Sequence, residues 1–449
     1  MRHAPCAFPL AAGGRNMANG DELDVIIVGA GLAGLACAYE TASAGLQVAV
    51  LERGDAAGSK SLSGGRLYLQ PVQGLCGDLL KNAPFERQVV SESIVLTDDS
   101  SSVTFRMDKG EDPTNPNSVT VLMSRLNRHL AEKVTEKGAM VLPQQKVDEL
   151  VRENGKVVGV KIGPEELRAG VVVAADGALS FLAQEVGLRS GHSTDSYGVG
   201  IKEIIQLESS KIEDRFNLPP GQGAARLYMG RITQGLPGGG FIYTNTDTLS
   251  IGIVVHMKAL RDWKSETESW ELLEVFKARP DVAPLLAGGN TVEYGAHLVP
   301  EGGFKSLPKP GIPGLLLVGD AAGFVLNTGN TLRGMDLAIA SGVLAGKSIL
   351  EASKADFSPE TCLNYYEQAL KTSFIMSQMK AYKKAPDLLT LSRLYDRYPH
   401  RMVQLAHEMF QVNSQGQGMS FWNAFKKIAF KILGWKGIKD MWRIIRMGQ

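Results

Sequence analysis

The chain has 449 residues, of which 44% are apolar and 21% charged, and its formal net charge is +1. That balance fits a soluble globular protein of two or more lobes and carries no global field that would recruit nucleic acid. The four cysteines (Cys6, Cys37, Cys76, Cys362) include no Cys-x-x-Cys pair, which argues against a metal or iron–sulfur site in this chain, and no apolar run approaches the ~18 residues of a membrane helix.

Residues 1–22 are short, broken by Pro and Gly, and lack a cleavable apolar region; they read as a disordered leader, with Met17 as an alternative start. Residues 23–28 form an apolar run apart from Asp24, the pattern of a strand covered on both faces. Gly29, Gly31 and Gly34 then complete G-x-G-x-x-G, residues 35–44 continue as a small-residue helix, and a second strand at 47–51 ends at Glu52. In this pattern Gly29 allows the tight turn, Gly31 lets the backbone approach a pyrophosphate, and Gly34 permits close helix–strand packing. The helix start offers free N–H groups to phosphates, and Glu52 is placed to accept from a ribose hydroxyl. Strand, turn, helix and acid together make this a dinucleotide site.

A loop spanning 55–119 follows, with Gly64, Gly65 and Arg66 placed for close backbone approach to a ligand. Residues 123–138 have the periodicity of an amphipathic helix, with Leu126, Leu130 and Val134 on one face and Ser124 as its N-cap. Residues 170–184 hold a strand ending in Asp176-Gly177, and the glycines Gly238 and Gly239 open another strand. The stretch 314–342 gives a buried strand ending at Gly319-Asp320, then a long helix from near Gly334. Asp320 suits the ribityl hydroxyls of a flavin, and the helix dipole would favour an anionic reduced ring. Only one G-x-G-x-x-G has strand and helix context, so the cofactor is expected to be FAD with no separate nicotinamide domain.

Three such motifs, separated by long insertions, resemble the flavoprotein hydroxylase and reductase superfamily. Through IEDRFNL, GGGFIYTN, VPEGG and RGMDLAIA, the chain from about residue 23 onward is similar to electron-transfer flavoprotein–quinone oxidoreductases, in particular their bacterial FixC-like branch. The resemblance implies an α/β fold. It comprises a discontinuous Rossmann-type FAD-binding domain (23–190 and 295–350), an inserted mixed β-sheet domain for the quinone or substrate (191–294), and a helical C-terminal region (351–449). It also implies FAD contacts from Gly29, Ala30, Gly31, Leu32, Ala33, Gly34, Glu52, Arg53, Gly65, Arg66, Arg125, Val147, Asp176, Gly177, Gly319 and Asp320, with Arg125 reaching the phosphates. Gly238 and Gly239 would meet the quinone head group, the alternative being a glycine bulge at a strand start. His297 and Arg333 are weak catalytic candidates, since the flavin carries the redox chemistry.

The implied partners are a heterodimeric electron-transfer flavoprotein as donor, quinone as acceptor, and a small ferredoxin-like protein carrying the iron–sulfur cluster absent from this chain. Residues 421–447 set Phe421, Phe425, Ile428, Ile432, Trp435 and Trp442 against seven Lys and Arg residues, with only Asp440 acidic. This basic amphipathic tail suits either an anionic membrane surface or a partner subunit. The expected location is the cytoplasm, or peripherally the inner face of the cytoplasmic membrane. The competing readings are a stand-alone prenyl-chain reductase or aromatic hydroxylase, and a flavin-bound scaffold without turnover.

Overall fold

The computed structural model describes residues 23–61, 63–110, 115–190, 194–265, 267–427, 439–440 and 442–443. The expected leader and most of the basic tail beyond residue 427 lie outside the described residues.

Strand β1 (Leu23–Val28), helix α1 (Leu32–Ser43) and strand β2 (Val48–Leu51) open the chain, followed by β3 (Gly65–Tyr68), β4 (Arg87–Thr97), β5 (Ser102–Asp108) and β6 (Ser118–Val121). Helix α2 (Met123–Glu136) leads to β7 (Met140–Leu142), β8 (Glu149–Glu153), β9 (Lys156–Ile162) and β10 (Glu165–Ala174). Five strands come next: β11 (Tyr197–Gln206), β12 (Gln222–Gly230), β13 (Gly238–Thr244), β14 (Thr248–His256) and β15 (Asn290–Pro300). The chain returns through β16 (Gly311–Ile312), β17 (Leu315–Leu317), β18 (Leu326–Asn327) and β19 (Leu332–Arg333). It then enters α3 (Met335–Ala355), α4 (Pro359–Thr372), α5 (Phe374–Ala381) and α6 (Arg397–Phe410).

The first sheet runs β16-β17-β10-β1-β2-β7, with β9 and β8 extending from β10. Its central pairs are parallel, with Val25 opposite both Val171 and Val48, and Val172 opposite Leu315. Helices α1 and α4 pack against it, and Leu150, Val157 and Val160 of β8 and β9 join the same core, so VIIV, VVVA and LLL are buried without alternation. Helices α1 and α3 meet at glycines: a Cβ on Gly342 would collide with the Ala33 carbonyl, and one on Gly346 would come within 2.7 Å of the Glu40 Cβ. Helix α2 buries Leu126, Leu130 and Val134 completely, each contributing about 1.5–3 kcal/mol. Leu122 rather than Ser124 is its N-cap; Ser124 sits inside the first turn, its hydroxyl 3.5 Å from that of Ser63.

The second sheet runs β15-β11-β14-β13-β12-β4-β6-β3, with β5 on the outer side of β4. The segment expected to be a loop at 55–119 thus supplies four of its strands, so this sheet is more than an insertion at 191–294. Period-two burial along β4 (RQVVSESIVLT) is the local signature of that strand. The C-terminal helices are not a detached layer: Tyr366 of α4 is fully buried and its hydroxyl donates to the Leu317 carbonyl at 2.8 Å. Asp440, in the expected tail, accepts from the Arg393 guanidinium and from the Tyr398 hydroxyl at 2.7 Å. No described helix is long and apolar enough to cross a membrane.

Candidate functional site

The two sheets face each other across a cavity of about 1060 Å³, closed at one end by the C-terminal helices. Its size lies at the upper end of ordinary ligand pockets. The turn after β1 forms one wall. Gly29 has φ +108, and a Cβ there would collide with the Ala175 carbonyl; a Cβ on Gly34 would collide with the Gly29 carbonyl. Protein packing therefore dictates both glycines. Gly31 differs: no atom lies within 4 Å of the place a Cβ would occupy, and the space it leaves belongs to the cavity. As N-cap of α1 it provides no side chain, so the first-turn N–H groups remain available to an anion.

Glu52 ends β2 and accepts from the Gly54 N–H at 2.7 Å and from the Ala30 N–H at 2.9 Å. A carboxylate has about four acceptor positions, so two remain for ribose hydroxyls. Asp320 also lines the cavity; burial raises its carboxyl to about 6, partly offset by Arg189, whose guanidinium donates to the Asp320 carbonyl oxygen at 3.1 Å. Gly334 is the N-cap residue of α3 and offers no side chain to its first-turn N–H groups, and this N-terminus also borders the cavity through Gly334, Met335 and Ala338. A side-chain-free approach at Gly31, acceptors at Glu52 and Asp320, and two helix N-termini fit a dinucleotide flavin.

Gly29, Gly31, Leu32, Ala33, Glu52, Arg53, Gly65, Arg66, Val147, Asp176, Gly177, Gly319 and Asp320 all line this one cavity, with Gly238, Gly239 and His297. Ala30 and Gly34 lie beneath it as packing elements. The Asp176 carboxylate is committed to its own turn, accepting from the Ser180 hydroxyl at 2.9 Å and the Leu182 N–H at 3.2 Å. Arg66 is pinned to the second sheet: its Nε donates to Ser118 at 2.9 Å, Glu92 lies 3.0 Å from Nη2, and the guanidinium covers the Tyr68 ring at 4.6 Å.

Besides Ala30 and Gly34, two more expected residues are not on the cavity wall. The half-exposed Arg125 turns outward to an ion pair with Glu86 at 3.1 Å; Met123, two residues earlier, lines the cavity instead. Arg333 is held by Asp336 of α3, and its guanidinium lies 5.5 Å from the Tyr68 ring centre. His297 is on the wall, but packing, Lys202 and Arg53 hold its imidazole below the ordinary histidine value, which keeps it neutral. For the glycine pair, pairing with β14 is regular rather than bulged. A Cβ on Gly238 would collide with the Val254 carbonyl, and one on Gly239 would come within 2.9 Å of the Tyr228 carbonyl.

Sequence reasoning missed three groups. Lys202 of β11 lines the cavity, donates to the Gly64 carbonyl at 2.6 Å, and is lowered to about 8 by burial against the opposing pull of Glu293. Glu293 accepts from the Ser63 N–H at 2.8 Å, so the two side chains clamp the glycine loop from the second sheet. A single Lys inside the apolar strand YGVGIKEIIQL was the available signal. Glu301 is the second, and Met379, Leu389 and Tyr395 of the C-terminal region the third. Among the described residues no group of His, Cys, Asp and Glu could hold a metal, and Cys37, Cys76 and Cys362 are buried and unpaired; Cys6 lies outside those residues.

The family model described as FAD dependent oxidoreductase matches residues 24–94, and that described as ETF-QO, ubiquinone-binding, matches residues 197–299. The chain is 42% identical over 398 residues to the probable electron transfer flavoprotein-quinone oxidoreductase YdiS of Escherichia coli (strain K12), covering 88% of this chain and 92% of that protein. It is 42% identical over 395 residues to protein FixC of Escherichia coli O157:H7, covering 88% and 91%. Among solved structures, a geranylgeranyl bacteriochlorophyll reductase-like protein from Thermoplasma acidophilum shares the fold with a TM-score of 0.69 at 21% identity, covering 94% and 99%.

Proposed function

Since the chain belongs to the FAD-dependent electron transfer flavoprotein–quinone oxidoreductase family that includes the FixC proteins, we propose that it takes electrons from a heterodimeric electron-transfer flavoprotein and delivers them to quinone. The observation that carries this reading is the shared cavity: the phosphate cradle around Gly31 and the Gly238–Gly239 strand line the same space. A carrier and its acceptor then need no separate channel between them.

FAD, when bound, supplies the electron-carrying chemistry. The chain's own groups would hold it. The α1 N-terminus would receive the diphosphate past Gly31, Glu52 would accept from the adenosine ribose, and Asp320 would accept from the ribityl chain. The N-terminus of α3 favours negative charge at its mouth, as a reduced ring requires. The Lys202–Glu293 clamp fixes Gly64 and Gly65 at the cavity wall.

A small ferredoxin-like protein would bring the iron–sulfur cluster to this assembly, and the basic tail would rest on an anionic membrane surface. Trp422 and Trp442 support the membrane part, being 70% and 54% exposed. Sedimentation with anionic liposomes tests it: a variant with tail Lys and Arg changed to Gln should stay in the supernatant, and unchanged binding would sink the idea. Electron entry is tested by mixing the FAD-loaded protein anaerobically with reduced electron-transfer flavoprotein, which should bleach it. Rapid bleaching by NADPH alone would favour a stand-alone reductase or hydroxylase instead.

A further inference from the structure

Glu301 occupies an unusual place. It follows β15 directly and lines the cavity toward the apolar end formed by Phe304, Met379, Leu389 and Tyr395. Its backbone N–H is fixed to the Ser196 carbonyl at 2.8 Å, and one carboxyl oxygen accepts from the Asn327 side chain at 2.9 Å. The other oxygen sits 2.5 Å from where a Cβ on Gly198 would stand, so this glycine makes the room it occupies. The titratable neighbour is Tyr395, from the turn before α6, itself buried and raised partly by Glu301. No cationic side chain among the described residues forms an ion pair with Glu301. Burial therefore raises its carboxyl above the ordinary range, with only Asn327 opposing, and favours the protonated acid.

Its position relative to the glycine pair follows from strand register. Gly198 lies on β11, opposite His256 of β14, and Val254 of β14 lies opposite Gly239 of β13. Strands are spaced about 4.8 Å apart and residues along them about 3.4 Å, so Gly198, beside which the carboxyl sits, lies two strands across and two residues along from Gly239, about 12 Å away. A ring lying between them presents one carbonyl to each side.

We infer that Glu301 is the proton donor to the quinone oxygen that faces away from Gly238 and Gly239. This assignment rests on the quinone reading above. Converting a quinone to a quinol forms two O–H bonds and takes up two electrons and two protons. Both electrons and one proton would be drawn from the bound flavin, reduced as its monoanion. The Glu301 carboxyl provides the second proton and becomes a carboxylate, which water entering the cavity reprotonates.

The test is Glu301→Gln, which keeps the shape and the pairing with Asn327 but has no acidic proton. Reoxidation of the reduced protein by a short-chain quinone should slow about 100-fold, the range of general-acid effects. Reoxidation by ferricenium, which takes electrons without protons, should stay at the wild-type rate, and E301D should recover part of the quinone rate. A protonated-carboxyl infrared band in the oxidised wild type should be missing from E301Q. Quinone reoxidation of E301Q at the wild-type rate, or equal slowing with both acceptors, would overturn the assignment. Wild-type protein that no quinone reoxidises would overturn the quinone reading and this assignment together.

Discussion

Replacing Gly31 by Ala separates a ligand-facing glycine from a structural one. Gly31 has φ −84 and ψ 179, backbone values open to any residue, and no atom lies within 4 Å of the added methyl. The apoprotein should therefore keep its stability or gain about 0.4–1 kcal/mol from the stiffer unfolded chain. The methyl instead enters the space through which a diphosphate meets the α1 N-terminus. Overpacking of one methyl costs about 1–3 kcal/mol, so FAD should bind roughly 5- to 150-fold more weakly. Gly34→Ala inverts the pattern: its methyl strikes the Gly29 carbonyl, and the apoprotein itself should lose stability. Titrating apoprotein with FAD by flavin fluorescence, beside thermal melts of both apo variants, reads the two effects separately. Unchanged FAD affinity in G31A, or an apo melting loss matching that of G34A, would refute the assignment of this turn.

The Lys202 clamp carries a pH signature. Its folded value of about 8 lies below the unfolded ~10.4, so the unfolded state binds more protons between them and stability rises with pH across that window. Lys202→Met should abolish the rise and, by stranding the Gly64 carbonyl, cost about 1–3 kcal/mol, measured by urea unfolding on either side of the window. Gly238→Ala should lower the melting temperature as well as quinone reactivity, because the Val254 carbonyl occupies the new methyl's place; a variant as stable as wild type would show that β13 and β14 are less closely packed.

The cradle was legible because each glycine answers a local requirement within a dozen residues of chain. Glu52 and Asp320 were legible for the same reason, both standing at strand ends just before or after such turns. The second sheet was not, because its joint is the pairing of β12 with β4, two strands far apart in the chain that meet only in the folded protein. The segment before α2 looked like a loop from its glycines, although β4 alternates plainly once its partner is known. Arg125 illustrates a different failure. Helical periodicity places it in the first turn but not on the cavity side, and Glu86 draws it outward. Lys202 and Glu301 escaped notice because an ionisable residue within an apolar strand, or just after one, acquires meaning only from what the fold sets across from it.

Because the phosphate cradle and the Gly238–Gly239 strand share one cavity, the protein should deliver electrons to quinone, and reoxidation of the FAD-loaded, fully reduced protein by a short-chain quinone is the decisive measurement. Anaerobic stopped-flow mixing should show the oxidised flavin spectrum returning with a rate that rises and saturates with quinone concentration, and falls in G239A. Reduced protein that stays bleached in quinone would rule out electron delivery to quinone.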